Sequence, residues 1–200
     1  MVAGGYGASD QCGAGTTLKS ETLNMDTSRR VVRYTVAPCA FGHVLAAATE
    51  RGICAVALGD DPAALVNDLR RAFRAMPIVR DIALPNHWMD ALLDYLHGAR
   101  MDLDLPLDVA ATPFQQMVWN ALRAIPYGET QTYRQVAQRI GRPRATRAVA
   151  RACASNPAAL IIPCHRVVRS NGALGGYRWG IERKRALIAH EAAHVELCAS

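Results

Sequence analysis

The 200-residue chain has no apolar run approaching the roughly 18 residues that a membrane-spanning helix needs. Its start, Met1 to Asp10, has no basic stretch followed by an apolar core, so a secretory signal is not expected. Its cysteines (Cys12, Cys39, Cys54, Cys153, Cys164 and Cys198) include no CxxC pair. Zinc sites use close paired ligands, and disulfides persist in oxidising compartments. Free thiols, mostly buried as small hydrophobes, are therefore expected, with no metal and a cytoplasmic location. His43, His87 and His97 also lack metal-ligand spacing.

What is present describes a globular protein. Hydrophobic residues make up 50% and charged residues 20%. This excludes disorder, collagen and coiled coil and permits one large or two small domains. The formal net charge is +6, unevenly spread. Residues 1–109 carry 10 Arg+Lys against 13 Asp+Glu, a net −3. Residues 110–200 carry 13 against 4, a net +9. The basic part suggests a module facing a polyanion, or simply a solvated basic surface.

Residues 1–30, rich in Gly, Ser, Thr and Asn, are expected to form a flexible leader. Residues 31–109 are expected to form a small α/β domain. Strands are predicted over 31–36, 43–49 and 53–58, with a hairpin turn at Glu50-Arg51-Gly52. Asp60 or Asp61 can cap a helix through Leu65, Leu69 and Phe73, and Asn86 can cap another over 87–96, ending at Gly98. Met101 to Val109 alternates apolar and polar residues, a strand signal that Pro106 demotes to an edge or exit segment.

The second module, 110–195, opens on a capping box, Thr112-Pro113-Phe114-Gln115. Phe114, Met117, Val118, Ala121, Leu122 and Ile125 then make one apolar helix face. Thr132-Tyr133-Arg134-Gln135 is a second capping box, and Val136 and Ile140 form the next buried stripe. A third helix is expected from Ala145 to about Ser155. Joined to the second by Gly141-Arg142-Pro143-Arg144, it suits a helix-turn-helix and would be its recognition helix. Arg147 and Arg151 share a face, with Ala145, Ala148 and Ala152 beside it. Small residues let a backbone approach DNA, although Ala is also the best helix former.

The chemistry lies in Leu160-Ile161-Ile162-Pro163-Cys164-His165-Arg166-Val167-Val168, followed by a Ser170-Asn171-Gly172 turn. A cysteine flanked by His and Arg sits in a positive field that favours thiolate, and a nearby base would activate it.

Asn156, Pro163-Cys164-His165-Arg166, Gly175-Gly176-Tyr177 and Ala189-His190-Glu191 together resemble the O6-alkylguanine-DNA alkyltransferases. The chain is most similar to the C-terminal methyltransferase domain of the bacterial adaptive-response proteins, from about Arg33 to Glu191. Residues 1–30 are too short for those proteins' phosphotriester-repair and regulatory DNA-binding parts. The resemblance implies a ribonuclease-H-like α/β N-terminal domain. It also implies a mostly α, winged helix-turn-helix C-terminal domain that enters the minor groove of double-stranded DNA as a monomer. The implied reaction is a single-turnover transfer of methyl from O6-methylguanine, and from O4-methylthymine, to the protein without a cofactor.

Carried over by position, Cys164 is the alkyl acceptor, His165 the base acting through a water, and Glu191 the carboxylate that orients it. Asn156 braces the active-site turns. Tyr133 rotates the target phosphate and donates a proton to guanine. Arg147 replaces the flipped base, while Arg144, Arg151, Ala148 and Thr132 face DNA. Tyr177, Trp179, Arg178, Val167, Ala159 and Cys153 belong to the pocket. Ala159 stands where some relatives have Pro, Arg178 where some have Ser, and Trp179 where some have a small residue. A bulky indole is expected to narrow the alkyl pocket. The alternatives are a sensor or DNA-binding regulator that repairs nothing, and a cysteine hydrolase, for which no acyl pocket is marked.

Overall fold

The computed structural model describes residues 31–81 and 87–199. The expected leader, Cys12, the Asn86 cap and the side chain of Cys198 lie outside the described residues.

β1 (Val32–Cys39), β2 (Gly42–Thr49) and β3 (Gly52–Gly59) form the expected antiparallel meander. α1 (Pro62–Ala72) then leads to β4 (Ile78–Arg80), which pairs parallel to β1, giving the order β3-β2-β1-β4. Of the two candidate caps Asp61 is used, its side chain accepting from the Ala63 N–H at 2.8 Å. Asp60 instead pairs with Arg183 at 2.7 Å. Leu65 and Leu69 of α1 pack with Val32, Tyr34, Leu45, Ala47 and Cys54 in a small core. α2 (His87–Leu96) buries Trp88, Leu92, Tyr95 and Leu96 in a separate, larger core.

Met101 to Val109 forms the edge segment that Pro106 predicts in place of a full strand. It makes one isolated bridge, Leu107 to Ile53, with the Ile53 N–H donating to the Pro106 carbonyl at 2.8 Å. Pro106 has no N–H to give back, so the ladder cannot spread. Asp108 tethers the segment by accepting from Thr49 at 2.6 Å and from Arg51 at 2.5 Å.

In the second half, α3 (Pro113–Arg123) and α4 (Tyr133–Arg139) both start on the predicted capping boxes, with Thr112 and Thr132 as caps. α3 buries Val118, Trp119, Ala121 and Leu122. Met117, expected on that face, stays 40% exposed. It precedes Val118 by one residue, and each residue turns the helix by about 100°, which puts it at the edge of the stripe. α5 (Thr146–Ala154) follows the Gly141 turn and packs on α4, completing the helix-turn-helix. Ala152, expected beside the arginine face, is buried in the core and is not available to a partner.

β5 (Gln131–Thr132) and β6 (Val167–Val168) pair in parallel, and the Arg169–Ala173 turn follows β6 as a short wing. α6 (Ile181–Ala199) closes the chain. A continuous core runs from Val44, Val56 and Leu92 through Leu122 to Val149 and Ile162, so the two halves share one interior. Among the described residues, no helix is long and apolar enough to cross a membrane.

Candidate active site

The loop 156–163 delivers Cys164 into the junction of the two halves. Its backbone docks on the exposed edge of β3: the Val56 N–H donates to the Pro157 carbonyl at 3.0 Å, and the Ala159 N–H to the Val56 carbonyl at 2.9 Å. Leu160 holds a left-handed conformation (φ 70°), which costs a non-glycine residue of the order of 1 kcal/mol. Asn156, fully buried, braces both ends. Its Nδ2 donates to the Ile162 carbonyl at 2.8 Å and to Cys164 Sγ at 3.1 Å, and its Oδ1 accepts from the Ala158 N–H at 2.9 Å.

Cys164 opens one turn of 3-10 helix, Cys164–Arg166, and is buried. The positive field expected to favour a thiolate is outweighed here by desolvation. Burial pushes the thiol up to about 11, against the Asn156 hydrogen bond and the Lys184 charge, which favour the anion. At neutral pH the sulfur rests as a thiol and must lose its proton during reaction.

The group placed to take that proton is held by an anchored carboxylate. Glu191 Oε1 meets His165 Nε2 at 2.5 Å, and both side chains are buried. Arg166 Nε donates to Glu191 Oε2 at 2.8 Å, Arg166 Nη2 to Oε1 at 3.3 Å, and the Gly128 N–H to Oε2 at 3.1 Å. Tyr95 also donates to Oε1. Burial alone would raise the carboxyl of Glu191, but His165 and Arg166 outweigh it and hold it at about 2. His165 is pushed down by its own burial despite the pull of Glu191, so its imidazole is neutral. An ionised carboxylate can only accept, so Nε2 carries the imidazole proton. The lone pair is then on Nδ1, which is buried without a hydrogen-bond partner.

Around this centre the expected pocket residues assemble in part. Tyr133, at the start of α4, is raised to about 12 by burial, with Cys153 and Cys164 adding to the shift. Gly175 sits opposite it in a left-handed conformation, where any Cβ would lie 3.0 Å from the Tyr133 hydroxyl. Tyr177 packs edge-on to His165 at 6.5 Å and to Trp179 at 5.1 Å between ring centroids. Its hydroxyl is buried without a partner. Trp179 is buried behind it, with the exposed Arg178 guanidinium over the indole at 5.9 Å. Ala159, Val167 and Cys153 bury their side chains in the core. For Ala159 and Val167 the burial is complete.

Tyr95 and Lys184 escaped the sequence reading, and Arg166 was read only as a source of positive field. Tyr95 and Arg166 complete the Glu191 cluster, joined at 2.9 Å from Nη2 to the tyrosine hydroxyl. Lys184 is fully buried, donates to the Val167 carbonyl at 2.5 Å, and lies 6.0 Å from the Tyr133 ring centroid. Burial lowers its ammonium, while the nearby Cys164 and Cys153 favour its charge. The i, i+3, i+7 spacing of Lys184, Leu187 and Glu191 on α6 is the signal that could have found it.

Arg144, Arg147 and Arg151 are exposed on the helix-turn-helix, and among the described residues none of them joins an ion pair. Ala148 is partly exposed between them, and Thr132 serves as the α4 cap. The arrangement can therefore present cationic charge on the helix-turn-helix and place a neutral imidazole next in sequence to a buried sulfur.

Comparison with known proteins matches the same two halves. The model for the ribonuclease-like domain of 6-O-methylguanine DNA methyltransferase covers residues 32–109. The model for the DNA binding domain of the same enzyme covers residues 113–193. The chain is 50% identical over 166 residues to the bifunctional transcriptional activator/DNA repair enzyme Ada of Escherichia coli, covering 82% of this chain and 47% of that protein. It is 50% identical over 103 residues to a methylated-DNA–protein-cysteine methyltransferase of Mycobacterium tuberculosis, covering 52% of this chain and 62% of that one. The chain thus spans about half the length of the Ada proteins it matches. The crystal structure of Mycobacterium tuberculosis O6-methylguanine methyltransferase superposes with a TM-score of 0.69 at 34% identity, covering 82% of this chain and 94% of that one. A structure of the Mycobacterium tuberculosis protein in complex with DNA gives the same TM-score, 0.69, at 35% identity.

Proposed function

The chain belongs to the O6-alkylguanine-DNA alkyltransferase family, and from that membership we propose that it repairs DNA by moving a methyl group from O6-methylguanine onto Cys164. O4-methylthymine is a second substrate in this reading, and the protein works as a cytoplasmic monomer on double-stranded DNA. The supporting observation is a buried Cys164 thiol held by Asn156, next to a neutral His165 whose Nε2–H is fixed by an ionised Glu191.

The step is an SN2 displacement. The Cys164 thiol loses its proton toward His165 Nδ1, through a water. The sulfur forms a bond to the methyl carbon as that carbon's bond to the guanine oxygen breaks. Guanine leaves with a proton delivered from the Tyr133 hydroxyl, and the sulfur ends as a methyl thioether. A thioether is a poor leaving group, so each molecule acts once. The oxygen is out of reach inside a duplex, so the nucleotide must flip, at a cost of a few kcal/mol. Arg147 fills the vacated stack from the minor groove, while Arg144, Arg151, Ala148 and Thr132 face the backbone. Phosphate contacts of this kind give salt-sensitive binding without sequence preference. Domain boundaries near 109 and 110 follow from the same reading, the N-terminal half offering the β3 edge on which the loop that ends in Cys164 docks.

A sensor that repairs nothing needs no acceptor sulfur, and the hydrogen bond that Asn156 devotes to Cys164 favours transfer. The test is transfer of isotopic label from methyl-labelled O6-methylguanine DNA. Label should saturate at one per protein molecule, and Cys164→Ala should bind the DNA and take none. Label accumulating beyond one equivalent, or release of free methanol, would overturn the proposal.

A further inference from the structure

We propose that Tyr95, from α2 in the N-terminal half, is a positioning residue for the acceptor chemistry: its hydroxyl holds Glu191 in the orientation that keeps the His165 lone pair on Nδ1. The proposal rests on the repair reading of this site and assigns the ribonuclease-like half a part in it beyond scaffolding.

Tyr95 is 96 residues away from Glu191 in sequence and 1% exposed. Its hydroxyl has one proton and sits between two groups of opposite charge. Arg166 Nη2 donates to the hydroxyl oxygen at 2.9 Å, so the tyrosine proton is directed to Glu191 Oε1. This is the same oxygen that receives the His165 Nε2–H at 2.5 Å. The other oxygen, Oε2, is fixed by Arg166 Nε and the Gly128 N–H. Without Tyr95, Oε1 would keep His165 and only the 3.3 Å contact from Arg166 Nη2. The carboxylate would then be pinned at one oxygen and loose at the one that sets the tautomer.

A phenol is costly in a core unless its hydroxyl is used, and packing alone would be served by phenylalanine. The ring is fixed by an edge-on contact with Tyr127 at 5.4 Å between centroids. Burial, reinforced by Glu191, keeps the hydroxyl protonated and therefore a donor.

The charged and titratable groups near His165 are Glu191 and Lys184 from α6, Arg166 and Cys164 from its own turn, Tyr177 from the 174–180 segment, and Tyr95 from α2. Only Tyr95 among them neutralises charge on Oε1 without carrying charge itself. Removing its hydroxyl leaves that charge more available to an imidazolium, which raises the pKa of His165. A protonated His165 cannot take the Cys164 proton, so the acid limb of the rate must move to higher pH.

The experiment uses the full chain as wild type, Tyr95→Phe and Leu92→Ala, the last a buried change on the same helix away from Glu191. Cys164 alkylation by iodoacetamide and methyl transfer from O6-methylguanine DNA are followed between pH 5 and pH 9. For Tyr95→Phe the acid limb of both rates should rise by about one unit, with about a tenfold loss at the pH where the limb is steepest, the scale of a hydrogen bond to a charged group. Leu92→Ala should lower stability and leave the limb in place. An unmoved limb in Tyr95→Phe, or an equal shift in Leu92→Ala, overturns the proposal. A shifted iodoacetamide limb in a protein whose wild type accepts no methyl from DNA would condemn the repair reading and leave the role of Tyr95 standing.

Discussion

Asn156 holds Cys164 by its sulfur: Nδ2 lies 3.1 Å from Sγ while the same amide donates to the Ile162 carbonyl at 2.8 Å. One buried side chain therefore fixes both the reactive atom and the loop that presents it. Truncating it leaves the Ala158 N–H unpaired in the core and the Ile162 carbonyl with only the Cys164 N–H, at about 1–3 kcal/mol for the unsatisfied donor. Asn156→Ala should melt several degrees lower and transfer methyl at least about tenfold more slowly. Transfer at the wild-type rate in the folded variant would show that the amide only stabilises the loop.

Lys184 is the only buried ammonium among the described residues, and its charge favours the Cys164 thiolate. Replacing it by methionine keeps the stem and removes the charge. Lys184→Met should raise the pH at which iodoacetamide modifies Cys164, by about one unit. An unchanged alkylation profile would remove Lys184 from the activation of the sulfur.

The Glu191 cluster sets how the fold responds to acid. Glu191 is depressed to about 2 in the folded protein, so the stability it contributes is present above its ordinary value near 4.5 and is lost as pH falls toward 2. His165 is also depressed, so unfolding is promoted as soon as pH falls below the 6.5 of a free imidazole. Melting temperature should therefore begin to drop below about pH 6.5 and drop again below about pH 4.5. Glu191→Ala leaves Arg166 buried without its carboxylate and should cost about 3–5 kcal/mol. Denaturant melts across this range check both statements, and a flat profile from pH 7 to pH 4 would contradict them.

Trp179 packs 5.1 Å from Tyr177, and under the proposed function its indole narrows the alkyl pocket. Methyl should be removed readily, and benzyl poorly. Trp179→Gly should raise benzyl transfer from O6-benzylguanine by about tenfold or more, the scale on which a pocket discriminates by size. Unchanged benzyl sensitivity would show that the indole lies outside the alkyl path.

Much of this was legible in the residues because it is local. The caps at Thr112 and Thr132, the stop at Gly98 and the hairpin at Glu50-Arg51-Gly52 each depend on neighbours a few positions away. The resemblance then placed Cys164, His165, Glu191 and Asn156 together, and the folded chain brings them into contact. What stayed hidden depends on distance in sequence or on solvation. Tyr95 meets Glu191 only because the two halves share a core. Lys184 sits in the run Glu182-Arg183-Lys184-Arg185, which reads as a solvated face until the α6 periodicity turns it inward. The flanking His165 and Arg166 suggested a positive field at Cys164, but His165 is neutral and Arg166 is paired with Glu191, so desolvation decides the sulfur.

The account stands on Cys164 as the acceptor. Its most direct test is the mass of the peptides from the full chain after incubation with excess duplex containing O6-methylguanine. The peptide holding Cys164 should gain one methyl group stoichiometrically, with every other cysteine peptide unchanged. An unmodified Cys164 peptide in protein that has bound the DNA, or the methyl on a different cysteine, would contradict it.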